Sequence, residues 1–532
     1  MNPIDYILLL SSFVLFPLVN RGILCFSGDL TKLHSESDLF RMQTEKQLAK
    51  IDQIFYSRWI PPLFLTALSS LFHSYLNWNT FDTTGIVRGF IVFICGMITW
   101  KAVSLDRDLV TDKPSIPSRI ALLATLCGVY VYPGFIVLFL FLAIHYCRSW
   151  YHHQLMALRI LQMFASLLAI TALASLGQFS LQTPYPPHLA VPLFLFLWVI
   201  AAHYFYSGVA KMKLGKHWYS WALDNRIHYL ALSAYLWGWM RKQNAQTRMQ
   251  WIQHIAPYDR LFQFAALFFE CGWLICGYSP ILAQLWCIQG IFFHSLVFIL
   301  SGIFFWQSIC VHFIFLNVLY FLPLETSQAL FNGWNALIFA ILLVFLLPRH
   351  ILWKAQKLAW WDSPFAGRIH WYVIGKSGKR YELYNNFLDP HERFFGRHTP
   401  FFLIPHLMFH GHLGEVNSPK LRDAIIAANG DPRHIDLLRE KCGYYVYHPE
   451  LEKAHDDYIK KFFTNLNAGK PKRVVPPWLK APGGQFYYWG QLPPFEGQEP
   501  ASQVLIFFRE EYCDGKKIVL VNDNLLKVIP IS

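Results

Sequence analysis

The feature that most constrains this chain is a series of apolar runs, each about as long as a helix that crosses a bilayer. A helix needs about 20 apolar residues to span the hydrocarbon core. Such runs lie near residues 4–27, 58–77, 85–104, 119–146, 157–176, 188–210, 260–279, 281–305, 307–323 and 329–348. This pattern predicts a polytopic α-helical membrane protein with about nine or ten transmembrane helices.

Charged residues are distributed unevenly along the chain. Asp, Glu, Lys and Arg make up only 15% of the 532 residues, whereas about 25% is usual in soluble proteins. Residues 349–532 hold 44 of these charges and the first 348 residues hold 35. We therefore expect a transmembrane helical domain over residues 1–350 and a soluble domain over residues 351–532. The protein would be an integral, multi-pass membrane protein.

The net charge of +13 does not indicate nucleic-acid binding. The basic excess is spread over both parts of the chain and no long Lys/Arg run occurs. Basic residues collect at the ends of membrane spans, where anionic lipid head groups supply the opposite charge. The sequence therefore predicts the lipid bilayer as a partner, and no nucleic acid.

The C-terminal part has the patterns of a mixed, β-rich domain. Two hairpins are predicted, the first from Ile369–Ile374 with Arg380–Tyr384 and the second from Val504–Phe508 with Lys517–Val521. Helical periodicity lies between them, over Pro419–Asn429 and Pro449–Leu466. Residues 469–500 are rich in Pro, Gly and aromatic residues and predict a long ordered loop.

The stretch Ile227–Met240 is apolar but too short to cross a membrane. It carries Tyr229, Tyr235, Trp237 and Trp239. Because such side chains are enriched at the level of the lipid head groups, we expect an interfacial or re-entrant segment here.

Ionisable residues in or beside the apolar runs mark candidate functional positions, since charge is costly within a bilayer. Lys211 is interpreted either as a lysine that reaches the membrane surface or as a desolvated amine that acts as a base. Glu270 lies inside a run and requires a partner from another helix. It could be a structural pin or part of a site.

Histidines form three groups with the same choice of interpretations. His294 and His312 lie in neighbouring runs, and the pair His152-His153 precedes another run. Each could supply an inter-helix or interfacial hydrogen bond, or a site. His406, His410 and His412 could bring three imidazoles to a metal ion or could be ordinary loop residues. We predict no metal centre.

Several of these segments resemble a known family. The segment Tyr204–Lys211 with Trp218, and Phe293-His294 followed by Ser301–Phe304, are similar to the lysine and histidine helices of vitamin K-dependent γ-glutamyl carboxylases and their bacterial HTTM-type relatives. Glu270 lies where an acidic residue precedes the histidine helix, and His152-His153 is a weaker match. The resemblance covers about residues 50–350 and does not extend to residues 366–532.

The resemblance implies an enzyme that couples oxidation of reduced vitamin K by O₂ to the addition of CO₂ to glutamate, or that retains only the epoxidising half. Its partners would be a glutamate-containing protein or peptide and an isoprenoid quinone. By position, Lys211 would be the catalytic base, with His294 as the second catalytic residue. His153, His294, Glu270 and Tyr206 would bind the quinone. Lys213 is the rival base, about 200° around the helix from Lys211.

Two alternatives remain open. One is a membrane-bound acyltransferase that uses His294 or His312 as a base, which requires an acyl tunnel to that histidine. The other is a transporter or assembly factor in which the buried charges pair only for structure. A structural role predicts a Lys211–Glu270 salt bridge with no cavity beside it, whereas the carboxylase requires Lys211 and His294 to face one apolar pocket.

Overall fold

The computed structural model describes residues 1–26, 77–82, 84–110, 115–146, 155–177, 188–349, 351–353, 358–384, 387–388, 400–488, 490 and 492–531. Within these ranges the chain is mostly helical up to Leu346, and an antiparallel sheet follows. The predicted class, a polytopic helical membrane protein with a C-terminal β-rich part, is confirmed.

The helices before the first strand are α1 (Pro3–Phe26), α2 (Trp78–Phe81), α3 (Ile86–Ser104), α4 (Ile116–Val131), α5 (Phe135–Tyr146), α6 (Leu155–Gly177), α7 (Ala190–Met212), α8 (Ser220–Asp224), α9 (Ile227–Leu236), α10 (Ala245–Ile255), α11 (Asp259–Gly272), α12 (Pro280–Ser301), α13 (Trp306–Tyr320), α14 (Leu324–Leu330) and α15 (Gly333–Leu346). The later helices are α16 (Pro419–Ala428), α17 (Pro432–Cys442) and α18 (Pro449–Asn467). Helix α17 was not expected from the sequence.

Four helices in the described part of the chain are long and apolar enough to cross a membrane, namely α3, α6, α7 and α12. A fifth span results if α13 and α14, which meet at an angle of 116°, count as one broken segment. This is fewer than the nine or ten spans expected. The remaining apolar runs form shorter helices or broken ones, and the run at 58–77 lies outside the described residues.

Pro133 explains one of these differences. The run at 119–146 is two helices, α4 and α5, separated at this proline. Proline lacks the N–H that a continuous helix needs and clashes with the preceding turn. Two short helices are therefore a consequence of one residue in an otherwise apolar stretch.

Helix α7 is the centre of the membrane body, which comprises the helices up to α15. It packs against α6 and α11, and Phe194, Phe196 and Trp198 on it are fully buried. Helix α12 lies at the periphery, since Phe292 on it is 70% exposed. The central position of α7 explains why its polar residues contact neighbouring helices rather than lipid.

The C-terminal sheet has four strands in the order β3 (Arg380–Leu383), β2 (Phe365–Gly375), β5 (Ala501–Cys513) and β6 (Ile518–Pro530). Two short strands, β1 (Trp361–Asp362) and β4 (Glu415–Val416), form a separate antiparallel pair. Both predicted hairpins are present, with Ile374 opposite Arg380 and Cys513 opposite Ile518. The strands of the second are longer than predicted, so that Val504–Phe508 pairs with residues 524–529 and not with Lys517–Val521. Strands β2 and β5 join the two hairpins into one sheet. Cys442 and Cys513 are both free thiols, so they form no disulfide.

One face of this sheet is apolar and the other is polar. Trp371, Val504 and Phe508 share a core with Phe462 and other residues of α18. On the opposite face, Arg368 donates a hydrogen bond to the carbonyl oxygen of Leu236 in α9. Alternation along the strands thus turns a charged face towards the membrane body.

The stretch Ile227–Met240 is not an interfacial segment exposed to lipid head groups. Trp237 and Trp239 are 4% and 8% exposed and belong to the core shared with the sheet. Ser233 donates to the carbonyl oxygen of Ser363, and Tyr488 N–H donates to that of Gly238. These aromatic residues are therefore buried against the C-terminal part of the chain. Apolar composition alone does not distinguish such burial within the protein from contact with lipid.

Candidate functional site

Helix α7 presents two polar side chains at different depths on one face. Tyr204 and Lys211 are seven residues apart, which is almost two full turns and about 10 Å along the axis. Both are buried, whereas Lys213 beyond the end of the helix is exposed. Of the two candidate bases, Lys211 is the one that faces the interior.

Lys211 forms a close ion pair with Glu270 of α11. Its Nζ lies 2.5 Å from Oε1 and 2.7 Å from Oε2 of that carboxylate. The lysine and glutamate side chains are 11% and 4% exposed, so the pair is largely withdrawn from solvent. Lys211 Nζ also lies 5.2 Å from the centre of the Trp221 ring.

Gly208 allows this pair to form, because α7 and α11 approach closely at this residue. A Cβ at position 208 would lie 2.6 Å from Cys271 Sγ and 3.1 Å from Glu270 Cβ. Any larger residue would force the helices apart and lengthen the distance between Lys211 and Glu270.

The second polar group is a hydrogen bond between the Tyr204 hydroxyl and Nε2 of His294 in α12, at 2.5 Å. His312 of α13 completes the group, with its ring centre 5.4 Å from Tyr204 and 5.9 Å from His294. His312 Nδ1 donates to the carbonyl oxygen of Ser308. In the neutral ring, its Nε2 is therefore an acceptor.

Aromatic rings connect the two polar groups. The Phe269 ring lies 5.0 Å from Tyr204 and 4.7 Å from Phe293, and Phe269 directly precedes Glu270. Trp273 stacks on Tyr204 with ring centres 5.5 Å apart. We call the set Tyr204, Lys211, Glu270, His294 and His312 the polar centre.

Two buried nitrogens of the polar centre make no hydrogen bond within the described residues, namely His294 Nδ1 and His312 Nε2. Buried polar atoms usually have partners. These two nitrogens are buried atoms with unused hydrogen-bonding capacity, and the His312 ring packs directly against Gly290 of α12, where a Cβ would lie 2.5 Å from Nε2.

The sequence selected some of these residues and missed others. Tyr206 is buried but lies about 200° around α7 from Tyr204, and it is Tyr204 that contacts His294. Helical spacing from Lys211 would have favoured Tyr204. The family resemblance gave no role to His312, which was a candidate for an inter-helix hydrogen bond or for the base of the acyltransferase. His153 lies outside the described residues.

The C-terminal histidines have structural partners. His410 Nε2 is 3.3 Å from Glu510 Oε1, and Arg439 donates to the other oxygen of that carboxylate at 2.8 Å. Burial alone would raise the pKa of Glu510, but these two partners lower it to about 2. His406 contacts Arg439. In the described part of the chain, no group of three or more His, Cys, Asp or Glu is arranged to hold a metal ion.

A cavity of about 1430 Å³ lies between the polar face of the sheet and the membrane body. None of Lys211, Glu270, Tyr204 and His294 lines it. This cavity therefore does not supply the quinone pocket that the carboxylase requires beside Lys211 and His294.

Comparison with known proteins gives no match: no family model, no curated protein and no solved structure is similar to this chain. The functional argument consequently rests on the residues themselves.

Proposed function

We propose that the protein is a membrane enzyme of the vitamin K-dependent carboxylase type, which oxidises a reduced naphthoquinone at the polar centre. The observation that carries the proposal is that Lys211 with Glu270, and Tyr204 with His294, form two buried polar pairs between three helices, with the Phe269 ring next to both. Such groups are costly in a membrane interior and mark functional sites by default.

The Lys211–Glu270 pair is suited to hold and release a proton. A low-dielectric site favours neutral groups over charged ones. Transfer of a proton from Lys211 Nζ to Glu270, over 2.5 Å, leaves a free amine beside a carboxylic acid. That amine can accept a proton from an acidic hydroxyl group of a bound substrate.

Tyr204, His294 and His312 would orient the substrate. His294 Nδ1 and His312 Nε2 have no hydrogen-bond partners within the described residues, and under this proposal they would contact the oxygens of a quinone ring. Reduced vitamin K, when bound, supplies the electrons for O₂ reduction that drives CO₂ addition to glutamate. The aromatic surroundings exclude water, which would otherwise compete with CO₂.

A structural role is the second candidate, and the Lys211–Glu270 salt bridge favours it. A pair at 2.5 and 2.7 Å satisfies both charges and joins α7 to α11. Under this interpretation the pair serves assembly and not chemistry. The acyltransferase alternative would require an Asn or Asp as partner of the histidine base. Within the described residues, the hydrogen-bond partner of His294 Nε2 is Tyr204.

The test is oxidation of reduced vitamin K by purified protein in detergent with O₂. We expect product from the wild type and from Lys213→Ala, because Lys213 is exposed and lies outside the polar centre. We expect no product from Lys211→Ala. A folded wild type that forms no oxidised quinone would exclude the proposal.

A further inference from the structure

The cavity of about 1430 Å³ lies where the C-terminal part contacts the membrane body. Asp106, just beyond α3, and Tyr235 of α9 come from the membrane body, while Tyr372 and Arg509 come from the sheet. The volume of this cavity exceeds the 300–1,000 Å³ or so of an ordinary small-molecule pocket. There is therefore room for a large head group or an extended molecule.

Cations predominate in its lining. Seven lysines and arginines line the cavity, namely Arg241, Lys242, Arg380, Lys472, Arg473, Lys480 and Arg509. Four acids line it, namely Asp106, Glu382, Glu496 and Asp523. The excess of positive charge favours an anionic ligand.

Three of the four acids pair with cations of the same cavity. Asp106 pairs with Lys472 at 2.7 Å and with Lys480 at 3.1 Å, and Asp523 pairs with Arg509 at 2.6 Å. Glu496 lies 4.0 Å from Arg473, and the Glu382 carboxylate accepts a hydrogen bond from Tyr384. The acids consequently leave other cations of the cavity without a counter-charge.

Lys242 and Arg380 are those cations. Neither has a carboxylate partner within 4.0 Å among the described residues; each lies instead over aromatic rings. Arg380 is 3.8 Å from the centre of the Tyr372 ring, and Lys242 is 5.0 Å from that of Tyr488. These cation–π contacts place both charged groups at the cavity, and a guanidinium fork matches phosphate oxygens well.

The cavity lies beside the C-terminal end of α3, one of the four candidate spans in the described part of the chain. Trp100 on the membrane-spanning helix α3 donates a hydrogen bond to the carbonyl oxygen of Leu479 at 2.8 Å. Trp478 is 81% exposed, and its neighbour Pro477 lines the cavity together with Lys480. Exposed Trp and Leu beside lysine, at the end of a span, are typical of the membrane–water interface.

We propose that this cavity binds a phosphorylated amphiphile, with its anionic head group against Lys242 and Arg380 and its apolar chain in the bilayer beside Trp478. Uncompensated cations, stacked aromatic rings and a rim at the membrane surface together select this ligand class. The site is separate from the polar centre and does not depend on quinone chemistry.

The test is ligand binding to the purified full-length protein in detergent, measured with short-chain phosphatidic acid, short-chain phosphatidylcholine and inorganic phosphate. We expect phosphatidic acid to bind at least tenfold more tightly than either of the other probes. Lys242→Gln/Arg380→Gln should weaken its binding at least about a hundredfold, since two charge-assisted hydrogen bonds of about 1.5–3 kcal/mol each are lost and about 1.4 kcal/mol corresponds to tenfold.

The matched control is Arg433→Gln/Lys460→Gln, which removes the same two residue types from exposed positions outside the cavity. It should bind phosphatidic acid as the wild type does. Equal binding of phosphatidic acid and phosphatidylcholine, or an unaffected Lys242→Gln/Arg380→Gln variant, would overturn the proposal. Inorganic phosphate that binds as tightly as phosphatidic acid would overturn the assignment to an amphiphile.

Discussion

Replacement of Lys211 by methionine should strongly destabilise the protein, because it leaves the Glu270 carboxylate buried without its partner. The glutamate side chain is 4% exposed and the lysine 11%, so water cannot take the place of the ammonium group. Removal of one member of a buried pair costs about 3–5 kcal/mol. An exposed pair would cost at most about 1 kcal/mol.

The double variant Lys211→Met/Glu270→Gln should recover most of this loss. It removes both charges and keeps the volume of both side chains, a change that is often neutral or stabilising for buried pairs. The unfolding free energy would be measured by denaturant titration in mixed micelles for the wild type, both single variants and the double variant. The coupling between the two sites follows from this cycle.

Lys213→Met is the control, because it changes an exposed lysine two residues away. It should leave stability within about 0.5 kcal/mol of the wild type. A double variant as unstable as Lys211→Met, or a single variant that loses less than about 1 kcal/mol, would refute the argument that the pair is buried and mutually compensating.

Three further predictions concern other parts of the protein. Gly208→Val should destabilise the protein by more than about 1 kcal/mol, because the valine Cβ would lie 2.6 Å from Cys271 Sγ where α7 contacts α11. The melting temperature of the variant tests this, and an unchanged melting temperature would contradict it. Arg439→Met should lower the unfolding free energy by about 3–5 kcal/mol, since it leaves the buried Glu510 carboxylate with one fewer partner. A loss below about 1 kcal/mol would show that His410 alone stabilises this carboxylate. Burial raises the pKa of Asp362 to about 6, and burial with the charge of Asp362 raises that of Glu415 to about 8. The folded protein thus keeps protons that the unfolded chain releases, so these two groups lower the stability of the fold as the pH rises from about 4 to about 8. In melting curves recorded over this pH range, Asp362→Asn/Glu415→Gln should show a smaller decline than the wild type.

The sequence predicted a membrane protein because few other folds can accommodate so many long apolar runs. The number of full-length spans did not follow from it, because a proline such as Pro133 is compatible with either one kinked helix or two short ones, and apolar length does not reveal the bend between α13 and α14. The two hairpins were predictable from strand alternation. Their union into one sheet was not, since the pairing of β2 with β5 joins segments more than a hundred residues apart.

For the candidate site, the sequence identified Lys211, Glu270 and His294 as costly charges or polar groups in apolar runs. It did not identify their partners, because contacts between helices depend on packing and not on local spacing. Tyr204 was overlooked in favour of Tyr206, although its position two turns before Lys211 was available from helical periodicity. The cavity beside Lys242 and Arg380 could not be predicted, since its lining comes from the membrane body and the sheet.

The most direct test of the central claim is the oxidation of reduced vitamin K by the wild type and by Lys211→Met/Glu270→Gln, both purified and confirmed to be folded. The double variant separates chemistry from stability, because it lacks the proton-holding pair but contains no unpaired buried charge. The proposed function predicts turnover by the wild type and none by the double variant. Equal turnover by both proteins, or none by the folded wild type, would contradict it.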